Sequence, residues 1–146
     1  MIADFLKRLV EPNPKPLAPP DARLALTALL VRIARSDGSY DDEEIARIDA
    51  ISQGRFELSA AEANALRKEA EELEAAAPDT VRFTRAIKDT VAYEERIGVV
   101  EALWEVVLAD GERDDAENAL LRMVAPMLGV SDMDSHQARK RVEARL

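Results

Sequence analysis

The sequence predicts an all-α fold of about seven to eight helices, built as two related halves. Three observations carry this. Hydrophobic residues make up 47% of the 146 residues but aromatics only 4%, with five glycines, and such an Ala/Leu/Glu/Arg-rich balance favours helix. Apolar residues recur at spacings of three and four in segment after segment. Finally, Asp37-Gly38-Ser39-Tyr40-Asp41-Asp42-Glu43-Glu44 reappears 73 residues later as Asp110-Gly111-Glu112-Arg113-Asp114-Asp115-Ala116-Glu117, with Asp, Gly, Asp, Asp and Glu in matching places.

Residues 1–20 read as an arm and a linker, and 21–146 as one helical domain. In the arm, Ile2, Phe5, Leu6 and Leu9 fall on one face of a short amphipathic helix. That face docks on its own domain, on a partner or on a membrane surface. Five of the seven prolines lie in 11–20 and predict an extended, semi-rigid segment. The first long helix spans 21–35, with a stripe of Leu26, Leu29, Leu30 and Ile33. The second spans 42–53, with Ile45, Ile48 and Ile51 inward and Gly54 as its stop.

Ser59-Ala60-Ala61-Glu62 is a capping box, so a third helix runs over 60–76. Its Glu69, Glu71, Glu72 and Glu74 read as a solvated face. Pro78 and Asp79 open a helix to residue 91, with Val81, Phe83, Ile87 and Val91 as core. The next spans 94–108, with Val99, Val100, Leu103, Val106 and Val107 as its stripe and Trp104 beside it. A helix over 115–128 follows, where Leu121 and Val124 match Ile48 and Ile51 and Pro126 bends or ends the segment. Ser131 caps the last helix, 132–145. There Arg139-Lys140 echoes Arg67-Lys68 at an offset of 72, so the repeat covers three helices per half.

Helix-corner chemistry explains most of the repeated stretch. Gly38 and Gly111 follow the last apolar turn of a helix, where a left-handed conformation is expected. Asp41 and Asp114 are N-caps, and Glu44 and Glu117 stand at capping-box spacing behind them. The remaining acids suit the positive end of a helix dipole.

Composition excludes several functions. A net charge of −9 argues against nucleic acid and favours cationic partners. With no cysteine and one histidine, thiolate sites, disulfides and multi-histidine metal sites are excluded. The longest apolar run, 24–31, is too short to span a bilayer, and Asp4, Lys7 and Arg8 interrupt any leader-like core, so a cytoplasmic chain is expected.

An EF-hand is the first metal reading to fail. Aligned on the glycine, its first and third ligand positions fall on Ile33 and Arg35, and on Val106 and Leu108 in the second copy. A different oxygen site for Ca²⁺, Mg²⁺ or Mn²⁺ remains open at Asp37, Asp41 and Glu44, with Asp110, Asp114 and Glu117 as counterparts. The plainer alternative is that these acids are caps and solvated charges. No nucleophile elbow, phosphate loop or histidine triad is present, and no enzyme is expected. His136 reads as exposed, and Trp104, Met123, Met127 and Met133 as core filler.

A helix ending in Ala109-Asp110-Gly111 and followed by acids, with a second copy, resembles the TerB-like family, the bacterial tellurite-resistance protein B superfamily. So do Arg82-Phe83-Thr84-Arg85, Glu94-Glu95-Arg96, Val100-Glu101-Ala102-Leu103-Trp104 and Leu128-Gly129-Val130-Ser131-Asp132, which look like its uncharacterised single-domain branch. The resemblance implies an all-helical fold of two halves related by a pseudo-twofold. It also implies a link to tellurite or stress responses and to metal-sensing assemblies near the membrane. The family's acidic positions fall on Asp37, Asp41, Glu44, Asp110, Asp114 and Glu117. Two functions are then expected: a non-enzymatic module binding divalent cations or a protein partner through its acidic corners, or a metal-independent interaction scaffold. A carboxylate-based hydrolase is a distant third.

Overall fold

A computed structural model describes residues 19–35, 40–77, 80–108 and 115–145. Their helices are α1 (Pro19–Ala34), α2 (Asp42–Phe56), α3 (Ala60–Ala76), α4 (Thr80–Thr90), α5 (Tyr93–Val107), α6 (Asp115–Met127) and α7 (Asp132–Arg145), with no strand among the described residues. The expected arm helix lies outside this set.

The first helix is the hub of the bundle. A stripe was expected, but α1 is buried nearly all round: Ala22, Leu24, Ala25, Leu26, Ala28, Leu29, Leu30, Val31, Ile33 and Ala34 all sit in the core. A helix with no wet face must be surrounded, and α1 touches α2, α3, α4, α5 and α6. The buried Thr27 hydroxyl donates back to Arg23 O at 2.7 Å, which satisfies it without an outside partner. The helix begins two residues before the expected start. Pro19 and Pro20 form its first turn, where a fixed φ is already helical and no N–H is required.

The pairings in the two halves correspond. The pair α1–α3 is answered by α5–α7, α1–α2 by α5–α6, α2–α3 by α6–α7 and α2–α5 by α6–α1, with α1 against α5 at the centre. Equivalent core residues support this: Ile48 and Ile51 of α2 and Leu121 and Val124 of α6 are all buried. Between the halves, α4 inserts Phe83, Thr84, Ile87 and Thr90 against α1 and α6. Val81 belongs to α4, but its side chain lies outside the description.

Several boundaries and burials differ from expectation. Gly54 does not end α2, which continues to Phe56 and closes on Glu57 at φ 55°. The stop is instead a bond from the Glu57 N–H to Gln53 O. Pro126 sits in the last turn of α6, so it ends the helix rather than kinking it. Gly129, at φ +72°, then lets the Val130 N–H reach back to Ala125 O at 3.0 Å. Met123 and Met133 are 44% and 70% exposed, not core filler, because they fall on the outer faces of α6 and α7.

The expected solvated face of α3 is only half so. Glu69 and Glu72 are exposed, but Glu74 accepts from Arg32 Nε at 3.2 Å and Arg35 Nη1 at 2.8 Å, tying α3 to α1. The second half makes its tie with charges reversed. Glu101 of α5 accepts from Arg141 and Arg145 of α7 at 3.1 and 2.7 Å, and Glu105 accepts from Arg145 at 2.7 Å. Burial acts to raise the Glu101 pKa, but the bonds from Arg145 and Arg141 outweigh it and hold the carboxyl below its ordinary range. A depressed folded pKa contributes stability above the unfolded carboxylate value, and that stability disappears as pH falls through the folded one. Glu101→Gln should therefore melt below the parent at pH 7, and the gap should close in thermal scans carried below about pH 4.

Candidate functional site

Backbone and side-chain chemistry build the first acidic corner from both sides. Just past the end of α1, the Arg35 guanidinium lies 4.8 Å over the Tyr40 ring. From α2, Asp41 takes extended backbone at φ −87°, and its Oδ1 accepts the Glu44 N–H at 2.9 Å, which is the expected N-cap. Glu44 is 8% exposed. Asp41, Asp42 and Glu43 are exposed and face solvent at the positive end of α2.

Beneath the corner lies a cluster that sequence reasoning did not single out. Arg67 of α3 donates Nε to Asp49 of α2 at 2.8 Å and Nη1 to Glu71 at 3.2 Å, with its own side chain only 10% exposed. Burial pushes the Tyr40 phenol well above its usual range, and the neighbouring Glu71 carboxylate adds to the effect. The hydroxyl is buried beside Glu71 without a well-formed hydrogen bond. The Arg67-Lys68 echo is the available sequence signal, and by itself it gives only the register of the repeat.

Of the six candidate ligand residues, two are fully described. Asp41 is a cap and Glu44 a nearly buried acid one turn away. Asp37, Asp110 and Asp114, with Gly38 and Gly111, lie outside the described residues, and Glu117 belongs to α6 without a described side chain. Among the described residues, no three Asp, Glu or His are grouped to hold a metal ion. The expected effect of Asp41→Ala is a loss of about 1 kcal/mol, with Asp41→Asn near neutral because the amide still caps. Urea melts of the two variants check this.

A cavity of about 430 Å³ opens where the start of α1 meets the end of α2 and the start of α5. Leu26, Phe56, Gly98 and Val99 contribute to its wall, with Arg23 and Arg55 alongside Glu94 and Glu95. Both glutamates are exposed. No pattern in the sequence marked this cavity, because its lining comes from three separate segments.

These features define an all-helical protein of two related halves, the first of which turns through an acidic corner at Asp41 and Glu44. The family model for tellurite resistance protein TerB matches residues 23–140, and the chain belongs to that family. Comparisons with curated proteins and with solved structures gave no match. No helix among the described residues is long and apolar enough to cross a membrane.

Proposed function

We propose that this TerB-family chain is a non-catalytic, cytoplasmic module of the tellurite and stress response, and that it binds a basic protein segment through its acidic corners. One observation supports a protein partner over a chelated ion. Near the first corner, Asp41 gives an oxygen to the cap, Asp49 and Glu71 are held by Arg67, and Glu74 is held by Arg32 and Arg35. What faces outward is an exposed row, Asp41, Asp42 and Glu43, on a fixed helix start. Such a row attracts a cationic surface without needing to converge on a point. Contact of residues 1–10 with a membrane surface would be peripheral to this role.

The experiment is affinity capture from the native organism. The bait is the protein beside an Asp42→Asn, Glu43→Gln variant, which keeps the Asp41 cap. A protein enriched by the parent and lost from the variant is the expected result, and identical captured sets would contradict it. The second reading, a divalent cation held through Asp37, Asp41 and Glu44 or through Asp110, Asp114 and Glu117, is favoured by the near-burial of Glu44 beside the corner.

A further inference from the structure

One helix of the second half has a counterpart place in the first. There α4 runs directly before α5 and packs on α1 and α6. Exchanging the halves turns α1 and α6 into α5 and α2. The counterpart of α4 is therefore a segment that precedes α1 and packs on α5 and α2. What precedes α1 is residues 1–18, which lie outside the described residues.

Three contacts trace the track of α4. The Arg32 guanidinium lies 5.5 Å over the Phe83 ring, and Thr84 Oγ1 donates to Met127 Sδ at 3.4 Å. Further on, Lys88 passes so close to Gly129 that a Cβ there would stand 3.1 Å from its Cε. At the 73-residue offset Arg32 and Met127 correspond to Glu105 and Gly54. The ends of α6 and α2 correspond too, since Gly129 at φ +72° and Glu57 at φ 55° close them alike.

Two adjoining cavities of about 430 Å³ each lie along this corresponding track. One is lined by Ile51 and Gly54 of α2 with Glu105 of α5. The other is lined by Phe56 of α2, Gly98 and Val99 of α5 and Leu26 of α1, and Arg55 borders both. Together they form a groove between α2 and α5.

Residues 1–10 carry the pattern that fits it. Phe5, Leu6 and Leu9 repeat, at an offset of 78, the spacing of Phe83, Thr84 and Ile87, the buried face of α4. Lys7 and Arg8 stand off that face, and the α5 rim offers the exposed Glu94 and Glu95. Extended residues 11–18 reach about 25 Å, further than the roughly 16 Å of α5 between Glu94 and Glu105.

We propose that residues 2–9 of this chain dock as a helix in the α2–α5 groove, in the place that α4 takes against α1 and α6. Leu6 then stands toward Gly54 as Thr84 stands toward Met127. This docking is separate from the acidic corners and does not rest on the partner reading.

The chain has no cysteine, so an introduced pair reports without background. A Cβ on Gly54 would meet nothing within 4 Å, so Gly54→Cys is accommodated. The full chain with Leu6→Cys and Gly54→Cys is oxidised and read on a non-reducing gel. The control joins Leu6→Cys to Met133→Cys, a position 70% exposed on α7. The intrachain disulfide should form at least about tenfold faster in the first pair, because docking raises the effective concentration of its thiols. In the cysteine-free chain, Phe5→Glu with Leu9→Glu should lower the melting temperature. Equal rates in the two pairs, a product mainly between two chains, or an unchanged melting temperature would overturn the proposal. Binding of the full chain to anionic vesicles that is lost in the Phe5→Glu, Leu9→Glu variant would overturn it too, and would assign these residues to a membrane surface.

Discussion

Arg67→Ala should cost about 3 kcal/mol or more, a large share of the stability of a domain this size. The reason is the company Arg67 keeps. Its side chain is 10% exposed, and it neutralises Asp49 on one helix and Glu71 on its own. Removing it leaves two partly buried carboxylates facing each other near the Tyr40 hydroxyl. The cost is mostly that of uncompensated charge, not of the attraction lost. Asp49→Asn with Glu71→Gln in the Arg67→Ala background should therefore recover part of the loss. Arg67→Lys should fall between, since an ammonium keeps the charge but not the fork. Chemical denaturation measures all three variants against the parent. A cost below about 1 kcal/mol for Arg67→Ala would place the cluster among ordinary surface ion pairs.

Leu29→Ala should cost roughly 3–4 kcal/mol. Leu29 is 0% exposed at the middle of α1, the helix that touches five others, so the vacated space has little freedom to collapse. The internal control is Met123→Ala. Met123 is 44% exposed on α6, and its loss should change stability by no more than about 0.5 kcal/mol. Equal effects in the two variants would mean that α1 is not the hub.

Helices and their order were legible because their signals are local. The capping box at Ser59 and Glu62 forms with both reciprocal bonds, and Ser131 accepts the Asp134 N–H at 3.1 Å. The repeat was legible for the same reason: each corner and each stripe is a short contiguous pattern, so its second copy can be matched 73 residues on. Burial was less so. Periodicity marks the face a helix must bury, but it does not say whether neighbours also cover the other faces. So α1 read as amphipathic although five helices surround it. Glu74 read as solvated because its arginine partners, Arg32 and Arg35, stand some 40 residues away in the chain.

The candidate site was legible as a list of acids and not as an arrangement. The sequence pattern favours Asp41 as a cap but leaves a metal open, since capping and chelation draw on the same residue types. What separates them is where neighbouring cations stand. Arg32, Arg35 and Arg67 are scattered along two helices, and only the packing of α1 on α3 assembles them around the corner.

Calorimetric titration with Ca²⁺, Mg²⁺ and Mn²⁺ at about 0.15 M salt is the most direct test of the central claim, that the corners act as a charged recognition surface and not as a chelating site. Diffuse attraction to a protein of net charge −9 is screened under these conditions. No saturable heat with any of the three ions is the predicted result. Saturable binding that vanishes in a folded Asp110→Asn, Asp114→Asn variant would contradict it, and would make the acidic corners a metal site.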